Sequence, residues 1–217
     1  MKRDEATLVL VIALILVAGL ALVELSYSNQ VPSSSAFALS ASSQSVRDLN
    51  LTLSVNATII HVGHSVSIGV AERNTLPQAN NVSSAKNWPL TGLAIGPCGP
   101  LNGPMGIQVM KGYYVADNVT DGKPIELYNP APRSCPMILS EISAFDFQPS
   151  SDVASVIGGC SPNPCFTQNM SSTISAGGYW SSNFLHDPAF SNFGPGAYTI
   201  AAGDEWGTLA VLHFLVK

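Results

Sequence analysis

Four histidines could supply ligands for a metal ion: His61, His64, His186 and His213. In a continuous strand, residues three apart point to opposite faces, so His61 and His64 converge only if Gly63 turns the chain. His213 lies in an apolar run, where a hydrogen-bonded structural histidine is the commoner outcome. The sequence also lacks the clustered Cys, His and Met of blue-copper loops. We therefore predict no metal and no other cofactor, and keep a copper- or other metal-binding module outside the cytoplasm as the alternative.

Patterns for catalysis are weak. Residues 63–67 read Gly-His-Ser-Val-Ser, which departs from the G-x-S-x-G nucleophile turn at the last position. Asp204 and Glu205 are adjacent acids in a glycine-flanked segment, where turn formation and solvation account for both. Trp206 beside them either stacks on a ligand from an exposed loop or, more commonly, caps the end of the core. The sequence therefore predicts a protein that is not an enzyme.

The cysteines predict disulfide bonds. Cys98, Cys135, Cys160 and Cys165 make an even number, and in a domain outside the cytoplasm that favours pairing. Three pairings are possible. We favour Cys160–Cys165 with Cys98–Cys135, because two prolines bend the short segment between Cys160 and Cys165. By loop entropy the short ring contributes roughly 2 kcal/mol and the longer loop roughly 4 kcal/mol. A zinc site fits less well, since C-x4-C lacks the usual C-x2-C spacing.

Five Asn-x-Ser/Thr sequons are candidate glycosylation sites: Asn50, Asn56, Asn81, Asn118 and Asn169. Asn50 and Asn56 both fall on the polar side of the first predicted strand, where a glycan would not enter the core. Whether they are used depends on the organism, and the sequence is compatible with a glycoprotein.

Composition narrows the class of partner. The chain has 9 Lys and Arg against 14 Asp and Glu, and charged residues make up 11% of it, below the roughly 25% usual for soluble domains. No basic stripe is present, which argues against nucleic acid as a partner. Ser, Thr, Asn and Gln must supply the polar surface, as in cell-surface domains. The predicted partner is a protein or a glycan.

The first 25 residues carry the pattern of a membrane anchor after a short cytoplasmic stub. Residues 6–23 are 18 consecutive uncharged positions, and a helix of that length spans about 27 Å, close to the thickness of a bilayer core. Lys2 and Arg3 precede the run and no Lys or Arg follows until Arg47. The positive-inside rule then predicts a single-pass protein of the cell membrane, with the N-terminus inside and the rest outside. A cleaved signal peptide and a pilin-like filament subunit are the alternatives.

The remainder is predicted to be a flexible Ser-rich linker over residues 26–45 and one domain over residues 46–217. Apolar residues alternate with polar ones over residues 49–55 and again over 66–70, which predicts two half-buried strands joined by a hairpin or a crossover. Residues 198–202 alternate as well after a turn at 193–196, and residues 209–216 are nearly all apolar, as in a strand buried on both sides. No segment after residue 23 keeps a helical period, so we predict an all-β domain.

Residues 53–70 (strand, glycine turn, Ser-rich strand) and 194–216 (Gly-Pro-Gly-x-Tyr-Thr, then an apolar strand) resemble the first and last strand pairs of immunoglobulin-like sandwiches. Such domains recur in cell-surface proteins of bacteria and archaea, including many uncharacterised single-anchor proteins of archaea. The resemblance covers about 40 residues and lacks the Cys…Trp…Cys pattern of antibody domains. It implies an all-β, immunoglobulin-like β-sandwich ectodomain behind one transmembrane helix and a linker, and says nothing of a ligand. The function we expect is non-catalytic: a cell-envelope ectodomain for surface interaction or structure.

Overall fold

The computed structural model describes residues 37–45, 47–96, 103–130, 142–158, 161–181 and 188–217. These residues form fifteen β-strands and one turn of 3-10 helix, Val119–Asp121. In chain order the strands are β1 Ser40–Gln44, β2 Leu49–Val55, β3 Ile59–Ile60, β4 Val66–Asn74, β5 Asn80–Ser83, β6 Met105–Lys111, β7 Pro124–Ile125, β8 Ile142–Phe147, β9 Val153–Gly158, β10 Phe166–Asn169, β11 Ser171–Ala176, β12 Gly178–Trp180, β13 Phe190–Asn192, β14 Gly196–Asp204 and β15 Leu209–Val216. Within these ranges we find no helix with the length and apolarity to cross a bilayer. The predicted anchor lies outside the described residues.

Sheet I contains β1, β2, β4 and β11 in that order, and all neighbours are antiparallel. Its centre is the pair β2–β4, in which every second residue is buried and the residues between are more exposed. Gly63, in the turn before β4, has a φ of 85°, a left-handed conformation that favours glycine. Of the two predicted arrangements, a hairpin or a crossover between sheets, the structure shows β2 and β4 paired within one sheet. The predicted face of each apolar residue in these strands is confirmed.

The fold begins inside the segment that the sequence predicts as a linker. β1 adds to the edge of β2, with Ser40 opposite Ser54 and Gln44 opposite Asn50. Its side chains alternate between exposed and half-buried. Ladder hydrogen bonds come from the backbone, so a polar, serine-rich segment can extend a sheet when a free edge is available. Residues 40–44 of the predicted linker are therefore part of a sheet.

Sheet II contains β3, β15, β14, β6 and β7 in that order. β3 runs parallel to β15, whereas the other neighbours are antiparallel. Near the start of β14, the hydroxyl of Tyr198 donates a hydrogen bond to the carbonyl of Gly194 at 3.0 Å. This bond ties the strand to the turn that precedes it.

The two C-terminal strands differ from the sequence prediction in their burial. Of these two strands, β14 is the one with both faces covered. The main core covers one face, and a small cluster that includes Met110 and Ala201 covers the other. In β15, Leu209, Val211 and Leu215 are only half-buried. The prediction that β15 is buried on both sides is wrong, because an apolar run does not reveal which neighbour covers it.

Sheet III contains β10, β9, β8 and β5, and β12 pairs with β13 in a two-stranded ribbon. One hydrophobic core gathers side chains from sheets I, II and III, including Leu51, Phe145 and Phe214. The described part of the chain is therefore all-β, as the sequence predicts.

Candidate functional site

A cleft of about 710 Å³ opens beside β6 and β7 at the edge of sheet II. Its lining comes from β6, the segment 123–128, β12 and the segment 92–96. Ala94 pairs with Ile107 of β6, and Ile125 of β7 pairs with Val109. Two separate pieces of chain therefore cover the edge of β6, and both contribute to the cleft.

Tyr114 lines the cleft from the loop after β6, where its backbone N–H and its carbonyl are both hydrogen-bonded. The hydroxyl oxygen of Thr199 accepts the N–H of Tyr114 at 2.9 Å and donates to the carbonyl of Gly112 at 2.8 Å. Nε2 of His213 donates to the carbonyl of Tyr114 at 2.7 Å. Gly112 has a φ of 117°, which only glycine adopts readily. The loop is therefore fixed by two side chains of sheet II.

His213 is well suited to this positioning role. It is 8% exposed, and its ring stacks on Tyr113 with centroids 4.0 Å apart. Burial lowers the pKa of His213, although the hydrogen bond to the Tyr114 carbonyl opposes that shift. A neutral imidazole with its proton on Nε2 satisfies the carbonyl.

Aromatic side chains make up much of the cleft wall. Tyr179 and Trp180 come from β12 and are half-buried, while Tyr114 and Tyr128 line the cleft from other segments. The backbone N–H of Trp180 donates to the carbonyl of Glu126 at 2.8 Å, which ties β12 to the segment after β7. Four aromatic rings from three parts of the chain thus meet at one cleft.

Two polar oxygens at the cleft have no hydrogen-bond partner among the described residues: Gln108 Oε1 and Tyr128 Oη. Gln108 is 6% exposed, and its amide nitrogen contacts the sulfur of Met110 at 3.9 Å. Burial raises the pKa of Tyr128, and the charge of Glu126 raises it further, so the hydroxyl keeps its proton. An unpaired buried polar group costs about 1–3 kcal/mol. Two residues that line the cleft therefore carry a buried acceptor and a buried hydroxyl without a partner among the described residues.

The described residues that line the cleft carry a weakly positive net charge. Lys111 and Lys123 line it and are exposed, and Glu126 is the acidic residue among its described lining. An oxygen of the Glu126 carboxylate accepts the backbone N–H of Tyr128 at 3.1 Å. Two cations therefore face one partly engaged anion, in a chain whose formal net charge is −5.

The histidines of the metal hypothesis are not assembled into one site among the described residues. Gly63 does turn the chain, and the rings of His61 and His64 lie 6.1 Å apart. His213 instead serves the Tyr114 loop, and His186 lies outside the described residues. The described part of the chain contains no group of three His, Cys, Asp or Glu side chains placed to hold a metal ion.

Asp204 and Glu205 are buried, contrary to the expectation of a solvated turn. Asp204 Oδ1 accepts two backbone N–H groups of its own turn at 2.9 and 2.7 Å. The Glu205 carboxylate accepts the Ser84 hydroxyl at 3.1 Å and the Ala85 N–H at 3.2 Å, and burial raises the pKa of Glu205. The expectation fails because residues 84–87 pack over this turn, which sequence spacing does not reveal.

Trp206 caps the core, the commoner of its two predicted roles. It is 7% exposed, and its indole N–H donates to the carbonyl of Ser83 at 2.8 Å. Its ring meets Phe145 and Phe147 edge-on. Ligand stacking on Trp206 is therefore not its role here.

Glu72 is a buried acid that the sequence analysis missed. It has no exposed surface, and neither of its carboxyl oxygens, nor Asp204 Oδ2, has a hydrogen-bond partner among the described residues. Burial raises the pKa of Glu72 to about 9, and the nearby charge of Asp204 adds to the shift. The available signal was parity, since Glu72 continues the inward series of Ile68 and Val70 on β4. Glu72 is protonated at neutral pH.

The disulfide pairings stay predictions. Cys165 is a described cysteine whose thiol is not free, while Cys98, Cys135 and Cys160 lie outside the described residues.

Glycosylation also stays a prediction. Asn56, Asn81, Asn118 and Asn169 are exposed, and Asn50 is half-buried on the polar side of β2. The side-chain oxygens of Asn56 and Asn118 already accept backbone N–H groups, at 2.7 and 2.8 Å.

The cleft residues carried a faint signal in the sequence. Two aromatic pairs, at 113–114 and 179–180, each directly follow glycine. Gln108, in contrast, lies in an apolar run, and no feature of the neighbouring sequence marks it as a cleft residue. No pattern of spacing joins these segments, because the fold brings them together.

Comparison with known proteins adds no family assignment. The chain matches no protein-family model, and a search of curated proteins finds no match either.

Proposed function

We propose that this chain is a non-catalytic, membrane-anchored cell-envelope ectodomain that binds a protein or a glycan at the cell surface through the cleft. The observation that carries the proposal is the pair of unpartnered oxygens on Gln108 and Tyr128 at an aromatic-lined cleft. Binding sites combine apolar walls with a few converging polar groups. A ligand that pairs with both oxygens would remove the cost of leaving them buried and unpaired.

The charged groups at the cleft suit binding better than turnover. Lys111 and Lys123 are exposed, and Glu126 spends one carboxylate oxygen on the backbone N–H of Tyr128. General acid–base chemistry needs a titratable group within reach of a reacting atom and free to exchange its proton. One oxygen of the Glu126 carboxylate is already engaged as an acceptor.

The finer fold assignment within this proposal is an immunoglobulin-like sandwich. Three features support it: the order of sheet II, the parallel pairing of the early strand β3 with the last strand β15, and the bond from Tyr198 to Gly194. A tyrosine bonded to the backbone a few residues upstream, near the start of the penultimate strand, is typical of such sandwiches.

The location within this proposal rests on the sequence. Residues 6–23 form an uncleaved anchor, the N-terminus lies inside and the domain outside. Protease added to intact cells that express the full chain should digest the domain and leave a tag at residue 1 intact. Digestion of the tag alone would reverse the orientation, and a mature chain starting between residues 25 and 45 would reject the anchor.

Binding is tested on the full chain reconstituted in nanodiscs. Wild-type protein should co-sediment with cell envelopes isolated from the source organism, and the double variant Gln108→Met/Tyr128→Phe should lose most of that binding. Gln78→Met repeats the glutamine-to-methionine change at an exposed residue outside the cleft. This control should bind like wild type. Equal binding by all three proteins would reject the cleft as the binding surface.

A further inference from the structure

The polar groups of the cleft define what its ligand must supply. Gln108 Oε1 is an acceptor and needs a donor, whereas the Tyr128 hydroxyl can donate or accept. A hydroxyl group on the ligand can satisfy either one, because it carries a donor and acceptors together. A ligand rich in hydroxyl groups matches this pair without a fixed polarity.

The cleft walls favour a ligand with a weakly apolar face. Tyr179 and Trp180 leave part of their surface uncovered, and a sugar ring presents C–H groups on one face and hydroxyl groups at its rim. Aromatic side chains offer broad contact area at a low cost in conformational entropy. The C–H face of the sugar ring would then contact the aromatic walls. The hydroxyl groups at its rim would pair with the two unpartnered oxygens.

An extended peptide fits the walls less well. Peptides that add to a sheet need strand groups with free backbone donors and acceptors. At this edge Ile107 exchanges two hydrogen bonds with Ala94, at 2.9 and 3.0 Å, and the N–H of Trp180 is bonded to Glu126 at 2.8 Å. These wall segments already pair with one another, so they offer no free strand to a peptide.

Charge selects among saccharides. Lys111 and Lys123 line the cleft, and the Glu126 carboxylate is partly occupied by the Tyr128 N–H. Lysine attracts an anion as a compact point charge and is screened by salt. An anionic group on the sugar would therefore gain from the two lysines.

We infer that the cleft binds an acidic saccharide, with Gln108 and Tyr128 as hydrogen-bond partners for its hydroxyl groups and Lys111 and Lys123 facing its carboxylate. This inference rests on the proposed binding function and names the ligand class for the same cleft. An experiment can then distinguish binding of a glycan from binding of a protein at this cleft.

Calorimetric titration of the full chain in nanodiscs tests the ligand class with three probes: tetragalacturonate, a neutral galactose tetrasaccharide and an acidic hexapeptide. Tetragalacturonate should bind most tightly, and its affinity should fall as salt rises. Equal affinity for the neutral sugar, tighter binding of the peptide, or no heat with tetragalacturonate would each overturn the inference. If envelope binding through the cleft persists in any of these cases, the proposed function stands and only the ligand class is lost.

Variants connect the binding to the named residues. Gln108→Met and Tyr128→Phe should each weaken tetragalacturonate binding by about tenfold, the equivalent of one hydrogen bond. Lys123→Gln should weaken the acidic sugar and leave the neutral one unchanged, whereas the matched control Lys217→Gln, outside the cleft, should change neither. The melting temperature of ligand-free Tyr128→Phe should equal or exceed that of wild type, which separates lost binding from lost folding. Wild-type affinity in the cleft variants would overturn the inference.

Discussion

The cleft and the sealed interior of this domain both contain polar oxygens without a partner among the described residues, and the two regions resolve that problem differently. In the interior, Glu72 keeps a proton because burial and the charge of Asp204 raise its pKa to about 9. At the cleft, the amide of Gln108 cannot change its charge, and the hydroxyl of Tyr128 already keeps its proton. A sealed acid can therefore be neutralised by titration, whereas a group beside an opening can be completed by a ligand. The presence of a cleft beside the group separates a stability cost from a candidate binding site.

The largest expected effect concerns the apolar wall of the interior. Leu51 is fully buried and lies opposite Glu72 in the β2–β4 register. Leu51→Ala should lower the free energy of unfolding by about 2–5 kcal/mol, because it removes apolar contact and leaves a cavity. Thr52→Ala, on the other face of the same strand, should cost well under about 1 kcal/mol. Denaturant unfolding measures both, and equal costs would contradict the assigned faces.

The second effect is the pH dependence that Glu72 contributes in the interior. The pKa of Glu72 is raised to about 9 in the folded state from its ordinary value of 4.5, which applies to the unfolded chain. Between those values the folded state binds one proton more, so the free energy of unfolding should fall as pH rises. From pH 5 to pH 8 the contribution of Glu72 to that loss should be about 4 kcal/mol.

Glu72→Gln isolates this contribution, because the amide does not titrate while Glu205 and His213 remain. Unfolding of wild type and Glu72→Gln at both pH values should show the slope in wild type and a reduced slope in the variant. Parallel pH profiles would mean that water or a neighbouring group already solvates Glu72, and the contrast with the cleft would disappear.

The third effect concerns the support of the cleft. Thr199→Val keeps the side-chain shape but leaves the Tyr114 N–H and the Gly112 carbonyl without their partner. We expect a loss of about 1–3 kcal/mol and faster amide exchange at residues 112–115. Thr173→Val, on the exposed face of β11, is the matched control and should change stability by less than about 0.5 kcal/mol. Unchanged exchange in the loop would show that other contacts hold Tyr114.

The smallest effect, in the opposite direction, is expected at the cleft itself. Without ligand, Tyr128→Phe should leave the free energy of unfolding unchanged or raise it by about 1 kcal/mol, because it removes a hydroxyl that has no partner. Tyr198→Phe removes a hydroxyl bonded to Gly194 and should instead cost about 1 kcal/mol. Thermal and denaturant unfolding compare the two, and a clear loss in Tyr128→Phe would indicate a structural hydroxyl.

Sequence patterns predicted the parts of the fold that have one buried face. β2 and β4 alternate visibly because their outer residues are more exposed, and a shift of one residue would expose every leucine. β1 was not predicted, because it is stabilised by backbone pairing with β2 and its serines form no hydrophobic pattern that indicates a strand. The burial of Asp204 and Glu205 escaped because residues more than a hundred positions away cover them.

The cleft could not be predicted for a related reason. Its lining joins residues near 94, 108, 126 and 180, and only strand pairing brings these segments together. The sequence did suggest that His213 is structural, since a histidine in an apolar strand needs a hydrogen-bond partner. It could not identify that partner as the carbonyl of Tyr114.

The contact made by Phe37 has a mechanical consequence. Its ring meets Tyr113 and His213 edge-on, with centroids 6.4 and 6.2 Å away, and His213 holds the peptide of Tyr114 at the cleft. Tension on the chain upstream of Phe37 would therefore act first on this aromatic contact and, through it, on the loop that carries Tyr114 into the cleft wall. If the protein is anchored in the membrane and bound to a partner, its affinity for that partner would vary with the tension on the segment that joins the domain to the anchor.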